Sequence, residues 1–300
     1  MTGSMTQLLR QAPTLERGGQ ALSWAQEKLG NIVRGDLMLG ILSDEDLALI
    51  PQALAFAGRS GWPGAWPLLV QHQVDFGEAA AASRLLTEAL PEHPELIVPL
   101  FRLQHSYLRS ELPEAEQKET TRQLQQWCQI HPQDHTALYN LGLAFFTGFG
   151  VESSPEHSAA LHAQAAGLGN ADALFELYVL HSTGVGVELD EEKALQFLKQ
   201  AAGQRQLRAM YNMGAMHATG RGGLEVNLSK ATEWYDRAAR AGHEKAVDTL
   251  IIMFLDGEGV EQDLDRAEEY IELGESFGYD MDVYREDLEE EREQVLEGRA

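Results

Sequence analysis

One sentence is written four times in this chain. The stretches "FTGFGVESSPEHSAALHAQAA", "STGVGVELDEEKALQFLKQAA", "ATGRGGLEVNLSKATEWYDRAA" and "LDGEGVEQDLDRAEEYIELGE" share a glycine turn, a polar connection and a second helical run. Ala137, Ala173, Ala209 and Ala246 are 36, 36 and 37 residues apart, and Gly148, Gly184, Gly220 and Gly257 keep the same spacings. The extra residue of the third unit falls in its glycine loop, "GRGG", where an insertion is cheap. A period of this length describes one helical hairpin per unit. A single hairpin cannot bury its own apolar face, so the units must stack.

Within each unit the first helix follows Ala-x-x-x-Leu/Met, as in "ALYNLGLAFF" and "AMYNMGAMHA". Apolar residues recurring at three and four mark one face of a helix. The glycines stop it, because glycine enters the left-handed conformation at low cost, so Gly184 and Gly257 are expected at positive φ. A second helix follows, and the small pairs Ala201–Ala202 and Ala238–Ala239 let neighbouring helices approach closely.

This pattern resembles the Sel-one-like repeat, a relative of the tetratricopeptide repeat. The matching residues run from Leu141-Gly142 through Phe145 to Gly148-x-Gly150-Val151, and from Lys193-Ala194 through Phe197 to Ala201-Ala202. They continue with Met213-Gly214, Gly220, Lys230-Ala231, Trp234 and Ala238-Ala239, and end with Leu250, Gly257-x-Gly259-Val260, Ala267 and Tyr270. The resemblance covers about residues 135–279. It implies an all-α fold, a right-handed α-solenoid of stacked helical hairpins, and a role as an adaptor or regulator that holds complexes together. Some cysteine-rich members of the family carry paired cysteines in each repeat and are linked to β-lactam recognition. This chain lacks those pairs, so that activity is not carried over.

Three regions are expected: an irregular helical region at 1–134, partly tetratricopeptide-like, four repeats at 135–279, and an acidic capping helix at 280–300. In the first, His93-Pro94 and His131-Pro132 stand 38 residues apart and bracket amphipathic segments at 95–109 and 113–130. Ser43 with Asp46 reads as a capping signal. The last segment, "DMDVYREDLEEEREQVLEGRA", has the polar face that a terminal cap needs.

Charge is uneven. Of the formal net charge of −24, residues 1–134 carry −6, residues 135–255 carry −4, and residues 256–300 carry −14. Such a field repels nucleic-acid phosphates and anionic membranes and suits a basic protein partner. No apolar run approaches the roughly 20 residues of a membrane helix, the N-terminus lacks a charged-then-apolar signal pattern, and Cys128 is the single cysteine. A cytoplasmic location is the expectation.

Catalytic signatures are missing. Neither a Gly-x-Ser-x-Gly nor a His-Glu-x-x-His occurs, and the glycine loops lack the Lys-Ser/Thr ending that cradles phosphate. His181 and His217 are 36 apart, at the position that Phe145 and Phe254 take in the other units, so packing explains them better than a metal, which needs about four ligands. His157 and His162, five apart, diverge around a helix. Cys128 lies on an apolar face in "LQQWCQI" and reads as core. No cofactor and no metal is expected.

What remains is a surface. If the first helix of each unit lines an inner groove, as in tetratricopeptide arrays, Tyr139, Phe175, Tyr211 and Asp248 form a ladder, with Leu143, Val179 and Ile252 one turn on. Aromatics are efficient interface anchors. Glu289, Glu290, Glu291 and Glu293 crowd the final helix and offer a second docking surface. The expected function is a non-enzymatic protein-interaction scaffold, in a sharper form one that sequesters a basic partner as an immunity protein or chaperone does. The alternative is a hydrolase using groove carboxylates or histidines, and a further one is nucleic-acid mimicry. A buried histidine–carboxylate pair with an open cleft would favour the hydrolase.

Overall fold

The computed structural model describes residues 2–11, 14–33, 44–62, 64–75, 78–257 and 259–297. Ser43, of the expected Ser43–Asp46 cap, lies outside them. The described residues form sixteen α-helices and no strand. In chain order they are α1 (Thr2–Leu9), α2 (Leu15–Val33), α3 (Asp44–Arg59), α4 (Ala65–Asp75), α5 (Ala79–Ala89), α6 (Ile97–Tyr107), α7 (Glu114–Ile130), α8 (His135–Thr147), α9 (Pro155–Gly167), α10 (Ala171–Thr183), α11 (Glu191–Gly203), α12 (Leu207–Thr219), α13 (Leu228–Arg240), α14 (Glu244–Asp256), α15 (Leu264–Ser276) and α16 (Asp282–Glu297). Within residues 1–153 and within residues 154–300, neighbouring helices pack on one another, the all-α solenoid fold that the repeat predicts.

Two compact units are distinguished, residues 1–153 and 154–300. In the first, α6 and α7 pair into a hairpin held by a buried polar chain: Thr120 donates to Gln104 Oε1 at 2.6 Å, and Gln104 donates to Ser83 Oγ at 3.0 Å. Phe149, from the loop after α8, is fully buried and packs edge-on against Phe101 at 5.3 Å. Its carbonyl accepts the Thr121 hydroxyl at 2.8 Å, which ties the loop to α7. Cys128 on α7 is buried, and burial pushes its thiol up to about 12.

The repeat is punctuated by caps at both ends of its helices. The left-handed residues that stop α8, α10, α12 and α14 are Gly148, Gly184, Gly220 and Gly257, at φ of 73°, 71°, 72° and 69°. Side-chain oxygens of Ser154, Asp190, Asn227 and Asp263 accept the N–H three residues on and start α9, α11, α13 and α15. An N-cap of this kind contributes about 1 kcal/mol.

The second glycine of each loop has a different job. A Cβ on Gly150 would collide with the backbone of Gln117, one on Gly186 with the backbone of Pro155, and one on Gly259 with the Leu228 side chain. In each case the loop lies against the first turn of the second helix of the hairpin before it. In the third unit, lengthened by one residue, Gly222 instead faces Met216 and, more distantly, Leu195.

Candidate functional site

The ladder positions are placed between successive helices. Phe175 on α10 is 5% exposed, and Arg208 of α12 lays its guanidinium over the ring at 4.3 Å while pairing with Glu176 at 2.8 Å. Tyr211 on α12 stacks on His243, just before α14, with 4.8 Å between ring centroids and 13° between planes, and meets Tyr235 at 5.3 Å. Asp248 on α14 neighbours Tyr284 of α16. Each is covered by a residue from the hairpin or helix that follows. Tyr284 stands 36 residues beyond Asp248, so the ladder runs one position further than the four repeats do.

The other candidates differ in exposure. Tyr139 and Leu143, both half-buried, lie on α8 in the first unit, and Val179 is half-buried on α10. Ile252 on α14 is 40% exposed. Burial raises the Asp248 carboxyl above its usual range while the Tyr284 phenol draws it back, and burial together with Asp248 raises the Tyr284 phenol.

Helix α16 buries Leu288, as the chain just before it buries Met281, and exposes Glu289, Glu290 and Glu293. Its two arginines are engaged internally. Arg285 holds Glu275 through two bonds of 2.5 and 2.6 Å, and Arg292 bonds Glu268 at 2.8 Å and Asp265 at 3.4 Å. The pairing holds the Glu275 and Glu268 carboxyls below the usual carboxylate range. Glu291 accepts from Gln262 at 3.1 Å, whereas Glu289, Glu290 and Glu293 pair with no cation among the described residues.

Here α14 and α16 enclose a cleft of about 260 Å³. Ile252 and Leu255 supply apolar surface, Tyr284 lines one side, and Asp256, Asp287, Glu290 and Glu291 surround it with carboxylates. Residues singled out separately in the sequence, Ile252 on α14 and Glu290 and Glu291 on α16, thus line one cleft. Asp256 and Asp287 were not singled out; the 36-residue register that brings α16 beside α14 is the signal that locates them.

A larger cleft of about 800 Å³ lies between α13 and the loop leading into α15. Two of its charged side chains, Asp236 and Arg266, are engaged. Asp236 accepts from Tyr270 at 2.8 Å and from Arg240 at 2.7 Å, and Arg266 lies over the Phe254 ring at 4.1 Å. The histidines serve packing: His181 stacks on Phe197 at 5.5 Å, and burial lowers the titration of His217. Burial depresses His162 on α9 to about 4. His93 meets Glu95 at 3.2 Å in a partly exposed pair. Among the described residues no group of three or more His, Cys, Asp or Glu side chains is placed to hold a metal ion.

The Sel1 repeat model matches residues 135–170, 171–205, 207–243 and 252–274. Residues 135–274 carry four Sel1 repeats. The last match is the shortest and opens within α14. Among solved structures, a Sel1 repeat protein from Oxalobacter formigenes is 24% identical over 60% of this chain and 83% of that one, with a TM-score of 0.47. The protective antigen c5321 of uropathogenic Escherichia coli, which displays an SLR fold, is 17% identical over 89% of this chain and 57% of its own, with a TM-score of 0.50. The immunity protein Pa5087 from Pseudomonas aeruginosa is 20% identical over 59% of this chain and 80% of its own, with a TM-score of 0.34, too loose a likeness to bear on function. No curated protein matches the sequence. Sel1 repeat proteins in general act as protein–protein interaction scaffolds, and the fold is typically non-catalytic. No described helix of the Sel1 array or its neighbours is long and apolar enough to cross a membrane.

Proposed function

We propose that this protein is a non-enzymatic binding partner for a basic protein, which it holds at the acidic end of the Sel1 array. The observation that supports this reading best is the cleft between α14 and α16, which apolar Ile252 and Leu255 line together with four carboxylates. A lysine or arginine side chain suits such a site, its alkyl stem against the apolar surface and its charged head among the acids. Residues 256–300 carry a net charge of −14 and extend the attraction beyond contact range. Glu289, Glu290 and Glu293 form the outer part of the surface, while the ladder from Phe175 to Asp248 holds the hairpins behind it in register.

In its sharper form the proposal is sequestration of a basic effector, as an immunity protein or a chaperone performs it. The test is a competition experiment with a defined probe. An amidated Lys/Arg-rich peptide carrying a fluorophore is titrated with the full chain and with E289Q/E290Q/E293Q. Binding by the full chain, weakened in the variant and more so at low salt, supports the reading. Equal binding by both proteins moves the site away from α16.

A further inference from the structure

The acidity of the chain hides a basic island. Residues 193–245 contain nine Lys and Arg against four Asp and Glu, a net of +5, whereas residues 135–192 contain eight acids and no base. Three of the nine are paired with carboxylates: Lys193 with Asp190, Arg208 with Glu176, and Arg240 with Asp236 and Glu269. Arg221 pairs with no carboxylate among the described residues, and it sits in the glycine loop lengthened by one residue.

The lengthened loop borders a pocket. In the other units the second glycine of the loop packs onto the second helix of the hairpin before it. In the third, the additional Gly223 forms a single tight turn over residues 221–223 with Gly222 and Gly223 both at positive φ, and Gly222 turns toward Met216. Beside it lies a cavity of about 520 Å³, within the range of small-ligand sites. Leu195 and Met216 form part of an apolar wall. Arg221, Tyr178 and Asn212 also line it. The Nδ2 of Asn212 already donates to the Arg208 carbonyl at 2.7 Å, which leaves its Oδ1 as an acceptor. The phenol is drawn up by burial and back down by Arg221, so the two groups act on each other.

The complement of this wall is a ligand with one anionic oxygen pair, one N–H to give and a short apolar body. We propose that the pocket is a binding site for a peptide carboxylate. Arg221 and the Tyr178 hydroxyl donate to the carboxylate, Asn212 Oδ1 accepts an amide N–H, and Leu195 and Met216 take the adjoining carbons. Glu191 also lines the cavity, and its charge selects a monoanion over a dianionic phosphate. This site differs in place and sign from the acidic cleft and stands without it.

The test is a titration of the ¹⁵N-labelled full chain with three probes: N-acetyl-Leu-Leu with a free carboxyl terminus, N-acetyl-Leu-Glu-Leu amide, and N-acetyl-Leu-Leu amide. Saturable shifts of the Arg221 and Asn212 side-chain N–H signals are expected with a carboxylate-bearing peptide and not with the neutral amide. The first probe alone assigns the terminal carboxylate, and the second alone assigns an acidic side chain. Arg221→Gln lies on an exposed loop and should weaken binding by about tenfold or more, the scale of one charge-assisted hydrogen-bonded pair. Glu191→Gln should tighten it, an outcome that a structural role for either residue does not produce. Absence of saturation, equal binding of the neutral amide, or an unaffected Arg221→Gln variant would overturn the proposal.

Discussion

Tyr284 on α16 stands beside Asp248 on α14, the residue 36 positions before it, and the two groups act on each other's titration. The pair joins the last helix to the repeat array at the position where earlier units use Phe175 and Tyr211. It also fixes one wall of the acidic cleft. Asp248 is half-buried and its carboxyl is already raised by desolvation. Tyr284→Phe should therefore cost about 1 kcal/mol, the scale for taking a polar neighbour from a partly buried carboxyl. Thermal unfolding at neutral pH measures it, and NMR titration should show the Asp248 carboxyl rising further in the variant.

The two glycines of each loop should respond differently to a methyl group. Gly184 and Gly186 both have positive φ, at 71° and 69°. At Gly184 the nearest atom to an added Cβ is the Leu189 side chain at 3.2 Å, whereas at Gly186 it is the backbone of Pro155. Gly184→Ala should lose about 1 kcal/mol through backbone strain. Gly186→Ala should lose clearly more, because α9 and the loop must separate. Gly203→Ala, with nothing within 4 Å, is the control and should be near neutral. Equal melting of the Gly184 and Gly186 variants would refute the division of labour.

The array was legible because its signals are local and periodic. Gly148, Gly184, Gly220 and Gly257 are caps that any residue numbering reveals, and helix-period apolar spacing gave the hairpins around them. The second glycine was read only as part of the stop, since its close approach to Gln117, Pro155 or Leu228 is a contact across hairpins that spacing alone does not disclose. Aromatic identity at 175 and 211 suggested a binding ladder. Burial of Phe175 and the stacking of Tyr211 on His243 depend on what the next helix brings, and the repeat register does not specify that chemistry. Tyr284, in contrast, was available from the 36-residue spacing once α16 is counted as a further helix of the series.

Packing of the ladder has its own consequence. Tyr211→Ala removes a ring held between His243 and Tyr235 and should destabilise the second unit by about 3 kcal/mol, as large-to-small changes at packed aromatics do. Denaturant unfolding measures it. A variant that keeps its midpoint would return Tyr211 to the set of free surface anchors.

Acid should weaken the second unit before its carboxylates titrate. His162 is buried on α9 and depressed to about 4 from an ordinary 6.5, with burial as the cause. Between those values the unfolded chain binds a proton that the folded chain refuses, so stability is full above pH ~6.5 and declines as pH falls toward 4. The loss from pH 7 to pH 5 should be about 2 kcal/mol for this group. Urea midpoints at the two pH values test it, and His162→Gln should flatten the difference.

The central claim is that the acidic surface of α16 receives a basic protein. The most direct measurement is the association rate with the partner from the native host, at low and at physiological salt, for the full chain and for E289Q/E290Q/E293Q. Glutamine preserves the helix and removes three charges that have no partner cation among the described residues. A slower encounter of the variant at low salt, converging with wild type as screening grows, is the predicted result. Identical rates at low salt would contradict the account and leave α16 as a solubilising cap.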